Sequence, residues 1–235
     1  MSKSICKSMS KNTSKSMSMS KNETYRLIKI GIEMSGILRH RAPLKIIDSS
    51  GWMQLNDLQK CMKKTNPTFE ELREVVEKDT KGRFVLEETY EETCEETCEE
   101  TCEETCEKTC EETYKQARIR ATQGHTIFLE TPILEKVNSS TKISVAVHAT
   151  TEEAWQLIQD SEYLLRGNRT LIHFATQNRH LRRNKKIKIF LLLNLEDAQN
   201  AGHVFMLSTN GVLLCKGPLP VQFVQSVKYE DLPAF

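Results

Sequence analysis

The segment EETCEETCEETCEETCEKTCEETY, Glu91 to Tyr114, cuts the chain into two stretches that must fold around it. Its period of four residues is too short for one unit of a stacked solenoid, which takes about 20 residues or more. On a helix, residues four apart share a face and overshoot a full turn by about 40° per step. Cys94, Cys98, Cys102, Cys106 and Cys110 would then form a slowly winding stripe, with Tyr90 and Tyr114 in register at its ends. Neighbouring thiolates could share Zn²⁺ or Cu⁺, yet no histidine or paired C-x-x-C accompanies them. Residues 87–114 are therefore expected to be a low-complexity acidic insertion in a surface loop, and no metal is expected.

Setting the insertion aside changes the electrostatic reading. Residues 87–114 hold thirteen Glu and one Lys, so the rest of the chain has 32 Lys/Arg against 19 Asp/Glu, a net of about +13 hidden beneath an overall +1. Such a basic remainder suggests a polyanionic partner. The other cysteines, Cys6, Cys61 and Cys215, form no disulfide framework, and no secretory signal precedes them. A reducing compartment, cytoplasmic or nuclear, is expected. No apolar run is long enough to cross a bilayer, so no membrane partner is expected. Residues 1–23, rich in Lys, Ser and Met, read as a disordered arm.

Upstream of the repeat, Leu27, Ile30, Met34, Ile37 and Leu38 recur at helical spacing, and the helix stops at Arg39-His40-Arg41 before Pro43. A turn at Ser50-Gly51 leads to a short helix presenting Leu55, Leu58 and Met62. Thr68-Phe69-Glu70-Glu71 has the form of a capping box. After the tight turn at Lys81-Gly82, Arg83 to Leu86 is a strand. Three helices and a small β-wing over residues 24–86 suggest a winged-helix RNA-binding lobe. Downstream, residues 115–235 predict short strands at Ile143–Val147, Leu171–Phe174, Ile187–Leu193, Val204–Leu207 and Val212–Leu214. Thr150 would cap a helix through Trp155, and Asn210-Gly211 would close a hairpin. The fold class is α+β. No G-x-G-x-x-G or P-loop occurs.

The residues that could carry chemistry are Arg and His clusters: Arg39-His40, Arg118 to His125, His148-Ala149-Thr150 and Asn168 to His173. Guanidinium groups bind phosphate oxygens bidentately, and imidazole can donate to an anion or move a proton. Each cluster also has a plain structural reading: Arg39 and Arg41 as cations at a helix C-terminus, His148 and His173 as buried histidines, His125 as a turn residue.

Taken in order, these motifs resemble the tRNA 2′-phosphotransferase family. LRHR, GWMQLNDL, VVEKDTKGRFVL, RIRATQGHT, HAT, NRTLIHFA and FMLSTNGVLLCKGPLP are each similar to a family motif, from about Tyr25 to Val224. The resemblance implies a C-terminal lobe of ADP-ribosyltransferase type. It also implies removal of a splice-junction 2′-phosphate from ligated tRNA by transfer to NAD⁺, a co-substrate. Nicotinamide and ADP-ribose 1″,2″-cyclic phosphate would leave, with an RNA 2′-OH remaining. It implies catalytic roles for Arg39, His40, Arg120 and Arg169. His148, Ala149, Thr150, Ser208, Asn210 and Gly211 would bind NAD⁺, in a protein acting as a monomer on tRNA with an internal 2′-phosphate. Ala149 stands where the family has glycine, Thr122 where it has asparagine, and Phe174-Ala175 where Leu-Ser is more usual. Two rival readings follow from the same residues: an ADP-ribosyltransferase that caps nucleic-acid phosphates, and a non-catalytic RNA- or metal-binding protein.

Overall fold

The computed structural model describes residues 20–88, 117–138, 140–182 and 184–234. The arm before Ser20 and the repeat itself lie outside the described residues. Helix α1 (Lys21–Gly36) opens on Ser20, whose hydroxyl accepts from the Glu23 N–H while the Glu23 carboxylate accepts from the Ser20 N–H. This reciprocal cap satisfies end donors, so the helix starts inside the stretch expected to be a disordered arm. A π-turn, Ile37–Arg41, closes α1. Strand β1 (Met53–Gln54) runs into α2 (Leu55–Cys61), and α3 (Phe69–Glu77) carries the expected capping box between Thr68 and Glu71. Ile30, Met34, Leu38, Leu55, Leu58, Met62 and Leu72 are buried together beneath these helices.

The chain then turns at Gly82, which needs φ +56°, and enters β2 (Phe84–Glu87). Strand β3 (Arg118–Ala121) follows the repeat and pairs antiparallel with β2, from Phe84↔Ala121 to Glu87↔Arg118, and with β1 on its other side. Ala117, Ile119 and Ala121 belong to the first core. Strand β3 completes the first lobe's sheet, so the two described flanks of the repeat, ending at Glu88 and resuming at Ala117, meet on one hairpin. Its root is a hairpin end, where Glu87 pairs with Arg118 at 2.6 Å and Glu88 with Arg73 at 2.6 Å.

The second lobe holds β4 (Leu134–Lys136), β5 (Val147–Thr150), α4 (Glu152–Ser161), β6 (Tyr163–Leu164), β7 (Ile172–Phe174) and β8 (Ile189–Leu193). It continues with α5 (Leu195–Asn200), β9 (Phe205–Ser208), β10 (Leu213–Cys215), β11 (Leu219–Pro220) and β12 (Val224–Val227). Four strands order as β4-β9-β10-β7, three as β12-β8-β5, and β11 pairs with β6. A bridge between Val147 and Ala175, with N–H···O distances of 2.8 and 2.7 Å, ties the two larger sheets together. Phe174 and Phe205 meet edge-to-face at 6.5 Å in the core beneath. The whole is a mixed α+β architecture with several small sheets.

Local departures from expectation have simple causes. The β-branched run from Ile143 becomes a strand only at Val147, where pairing with β8 begins and carries on through His148 to Thr150. Thr150 is consequently buried in a strand, and its neighbour Thr151 caps α4 by accepting from the Ala154 N–H at 3.2 Å. Asn210-Gly211 does close the β9–β10 hairpin, with Gly211 at φ +85°. No helix among the described residues is long and apolar enough to cross a membrane.

Because β2 and β3 are already in register where the repeat leaves and returns, a two-residue turn can join Glu88 to Ala117. Loop-closure entropy grows only logarithmically with length. Replacing residues 89–116 with Asn-Gly should keep the fold and raise stability by about 2 kcal/mol, read as a higher denaturant midpoint. Loss of the cooperative transition would contradict the hairpin root.

Candidate active site

The π-turn after α1 keeps Ile37 and Leu38 in the core and delivers Arg39 and His40 to the loop that follows β3. That loop is fastened to it: the Thr126 N–H donates to the Arg39 carbonyl at 2.9 Å, and Thr126 Oγ1 lies 3.1 Å from His40 Nδ1. Gly124, at φ +88°, lies flat against the Arg39 side chain, and a Cβ there would sit 3.6 Å from its Cδ, Nε and Cζ. The second lobe docks on the same loop. Thr170 donates to the His125 carbonyl from its N–H at 3.0 Å and from its hydroxyl at 3.3 Å. This pins the turn Arg166–Arg169, in which Arg166 Nη1 donates to the Arg169 carbonyl at 2.9 Å.

Arg39 and Arg169 meet in a cleft of about 800 Å³ between the lobes. Lys81, Arg83, Arg166 and Arg182 add four more cations, and among the described residues no carboxylate lines the cleft. Burial, then the charges of Arg83 and Arg169, push the Arg39 guanidinium down to about 10, and its Nε and Nη2 have no hydrogen-bond partner. Burial and Arg182 likewise lower Arg169. A guanidinium held this far from compensation is a strong anion receptor.

Arg120 is buried in β3, and its Nη2 donates to Thr209 Oγ1 across the lobe boundary at 2.8 Å while Nε stays unpartnered. It lines an adjoining cavity of about 410 Å³ with Gly124 and His125, and Gln123, Arg166, Leu171 and His173 line both spaces. His40 opens onto the outer side of α1 instead. Charge still couples it inward: burial, then Arg39, Arg169 and Arg41, lower its pKa. His125 is held to about 4 by burial and then by Arg39, His40 and Arg120, which makes it the electrostatic meeting point of three of the four expected catalytic residues. The sequence had left His125 open as a turn residue.

The residues expected to bind a dinucleotide divide. His148, Ala149, Thr150 and Asn210 line the cleft. His148 Nδ1 lies 2.9 Å from the His173 carbonyl, which directs Nε2 elsewhere. Asn210 donates from Nδ2 to the Lys81 carbonyl at 2.9 Å, tying the hairpin to the first lobe's turn. Ser208 does not line the cleft. Its hydroxyl bonds Asn210 Oδ1 at 2.7 Å and the Val212 carbonyl at 3.0 Å, so it staples the hairpin from inside. Gly211 lies behind the turn near Thr176 and His180. Thr122 is buried and donates to the Gly82 carbonyl at 3.0 Å, so it faces the turn that precedes β2. Sequence reasoning missed Lys81, Arg166, His180 and Arg182; the dense run Arg179 to Lys188 is the signal that could have found the last two. No cluster of three or more His, Cys, Asp or Glu side chains suited to a metal occurs among the described residues.

Fold and site together define a two-lobed α+β protein with a cation-rich cleft at the junction, lined by no carboxylate among the described residues. The chain belongs to the RNA 2′-phosphotransferase, Tpt1 / KptA family, which it matches over residues 25–217. A Schizosaccharomyces pombe protein named as a candidate tRNA 2′-phosphotransferase is 26% identical to it over 191 residues. That match covers 78% of this chain and 46% of the relative, so the chain spans less than half the length of the relative it matches.

Burial holds His125 near 4 and His173 near 3, and lowers His148, against an ordinary value of 6.5. The unfolded chain takes up these protons first, so the stability they contribute is complete above about 6.5 and is lost as pH falls toward 4 and 3. Thermal unfolding should show a falling midpoint over that window, shallower in His173→Gln. A midpoint independent of acidity would show that these rings are not buried neutral.

Proposed function

We propose that the chain is an NAD⁺-dependent RNA 2′-phosphotransferase acting on tRNA with an internal 2′-phosphate. The observation that carries this is the interlobe cleft: six cations, no lining carboxylate among the described residues, and unpartnered donors on Arg39. Family membership gives the reaction class. The first lobe acts as a winged-helix RNA-binding module and the second as an ADP-ribosyltransferase-type NAD⁺ site.

A dianionic 2′-phosphate and a pyrophosphate entering one space need dense positive charge, and a preorganised cluster supplies it without reorganising at the moment of reaction. Arg39 receives the 2′-phosphate in the cleft, and Arg120 supports it from the adjoining cavity with which the cleft shares Gln123, Arg166, Leu171 and His173. Arg169 holds it against the dinucleotide in line for transfer. NAD⁺ contributes the electrophilic ribose carbon and the nicotinamide leaving group. His148 and Thr150 border its ribose, with the Ala149 methyl at the cleft wall, and Arg182 and Arg166 face its phosphates.

His40, which borders the outer groove of α1 beside Arg39, is the proton donor to the departing 2′-oxygen if the RNA strand approaches from that side. In the free protein, burial and then the charges of Arg39, Arg169 and Arg41 lower its pKa and favour the neutral ring. A bound phosphate dianion reverses that field and raises its affinity for a proton, so the acid is charged only when substrate is present. NMR titration should find the His40 pKa below 6.5 in the free protein and higher with a 2′-phosphorylated RNA bound; a value unmoved by the phosphate would remove His40 from this role.

The decisive assay incubates the protein with a 2′-phosphorylated RNA, with and without NAD⁺, and follows the phosphate. Phosphate removal only with NAD⁺ is expected. ADP-ribose retained on the RNA would instead make it a capping enzyme. Arg169→Ala should lower turnover by about 10²–10³-fold, and near-full activity in that variant would end this assignment of roles.

A further inference from the structure

We propose that the groove along the outer face of α1 seats the RNA strand flanking the transferred phosphate, an inference that rests on the phosphotransferase reading. The groove, about 630 Å³, is lined by Lys29, Ile32, Gly36, Arg41 and Lys64 and begins at His40. It therefore reaches the residue to which the proposed function gives the proton-donor role, one position along the chain from Arg39 in the cleft.

Three features select a nucleic-acid strand. Tyr25, Ile28 and Ile32 are 60%, 54% and 66% exposed on one face of α1, and the spacing of three and four residues aligns them along its length. Lys29 Nζ stands 4.5 Å over the Tyr25 ring, placing a cation and a stacking surface side by side. The only carboxylate among the described lining residues, Glu33, is buried. It accepts from the Lys64 and Thr65 N–H groups and the Thr65 hydroxyl, at 3.1, 2.9 and 2.7 Å, so its charge is spent within the fold. A basic groove edged by an exposed aromatic is how proteins hold single strands, through phosphate contacts and base stacking. An acidic or purely apolar protein segment would leave either the stripe or the cations unused.

Gly36 has a specific part in this. A Cβ at that position would lie 2.7 Å from Arg41 Nη2 and 3.4 Å from its Cζ, so the Arg41 side chain doubles back over the bare glycine into the groove. Gly36 lies in the α-helical region, at φ −65° and ψ −37°, where alanine is the better helix former. Gly36→Ala should thus preserve folding while pushing Arg41 out of the groove.

The test measures binding of an unmodified single-stranded oligoribonucleotide by fluorescence anisotropy across a salt series. It is run for wild type, Gly36→Ala and Lys29→Glu, alongside turnover of a 2′-phosphorylated dinucleotide and of a longer strand carrying the same junction. Both variants should weaken strand binding by about 5–10-fold and flatten the log–log salt slope by roughly 0.7 per lost phosphate contact. KM for the long substrate should rise in both variants, while dinucleotide turnover stays unchanged in Lys29→Glu. Unaltered strand affinity and slope in both variants would overturn the proposal. So would equal losses on both substrates in Lys29→Glu, which would place the effect in the cleft. If wild type removes no phosphate from either substrate yet the variants still lose strand binding, the phosphotransferase reading fails and the groove stands as an RNA site.

Discussion

Two backbone carbonyls, those of Arg39 and His125, hold this molecule's site together. The first accepts from Thr126 and the second from Thr170, so the loop after β3 is pinned to the first lobe on one side and to the second on the other. Each lobe has its own hydrophobic core, and neither core alone would fix the angle between them. The loop does so, assisted by Arg120 bonding Thr209 and Asn210 bonding Lys81. Because Arg39 carries one pinned carbonyl and Arg169 precedes the donor to the other, the contacts that dock the lobes also bring both residues to one cleft.

That placement works against stability. Arg39 is depressed to about 10 and Arg169 is lowered, by burial first and then by neighbouring guanidinium groups, while burial alone lowers Arg120. Arg39 Nε and Nη2, Arg120 Nε and His173 Nε2 are buried without partners, where most buried polar atoms in proteins have one. Such unmet demand is tolerated where an incoming anion satisfies it. Asp79, paired with Arg83 at 2.8 Å, is the nearest compensating carboxylate, and it serves the turn more than the cleft.

The sequence made visible what depends on local periodicity and capping: the buried stripe of α1, the Thr68 box, and the Asn-Gly hairpin. It did not reveal what depends on pairing across distance. β3 sits after the repeat in the chain but completes a sheet begun before it, and four residues of pattern carry no sign of which lobe will claim them. Thr150 and Thr151 were equivalent as letters, and only the register with β8 buries one and frees the other to cap. Ser208 belonged to a recognisable motif, but its hydroxyl is consumed by the hairpin that the motif builds. Arg39, Arg169 and His148 were found through motif order, whereas Arg182 and Lys81 enter the cleft only because the fold brings separate turns together.

How a basic site coexists with so acidic a repeat follows from where the repeat is rooted. Its carboxylates join the fold at the far end of the β2–β3 hairpin, and the first two are neutralised there by Arg118 and Arg73. Arg118 also lies over the Trp52 ring at 4.6 Å, beside Arg120 at 5.1 Å, so one indole carries a paired and an unpaired guanidinium on the same strand face. Two residues of strand separate them by about 7 Å, close to the screening length of physiological salt. Glu87 still acts on Arg120, raising its pKa against the effect of burial. The strand alternation turns Arg120 toward the second lobe, where it bonds Thr209, while the ion pair behind it engages the Glu87 carboxylate at the hairpin end.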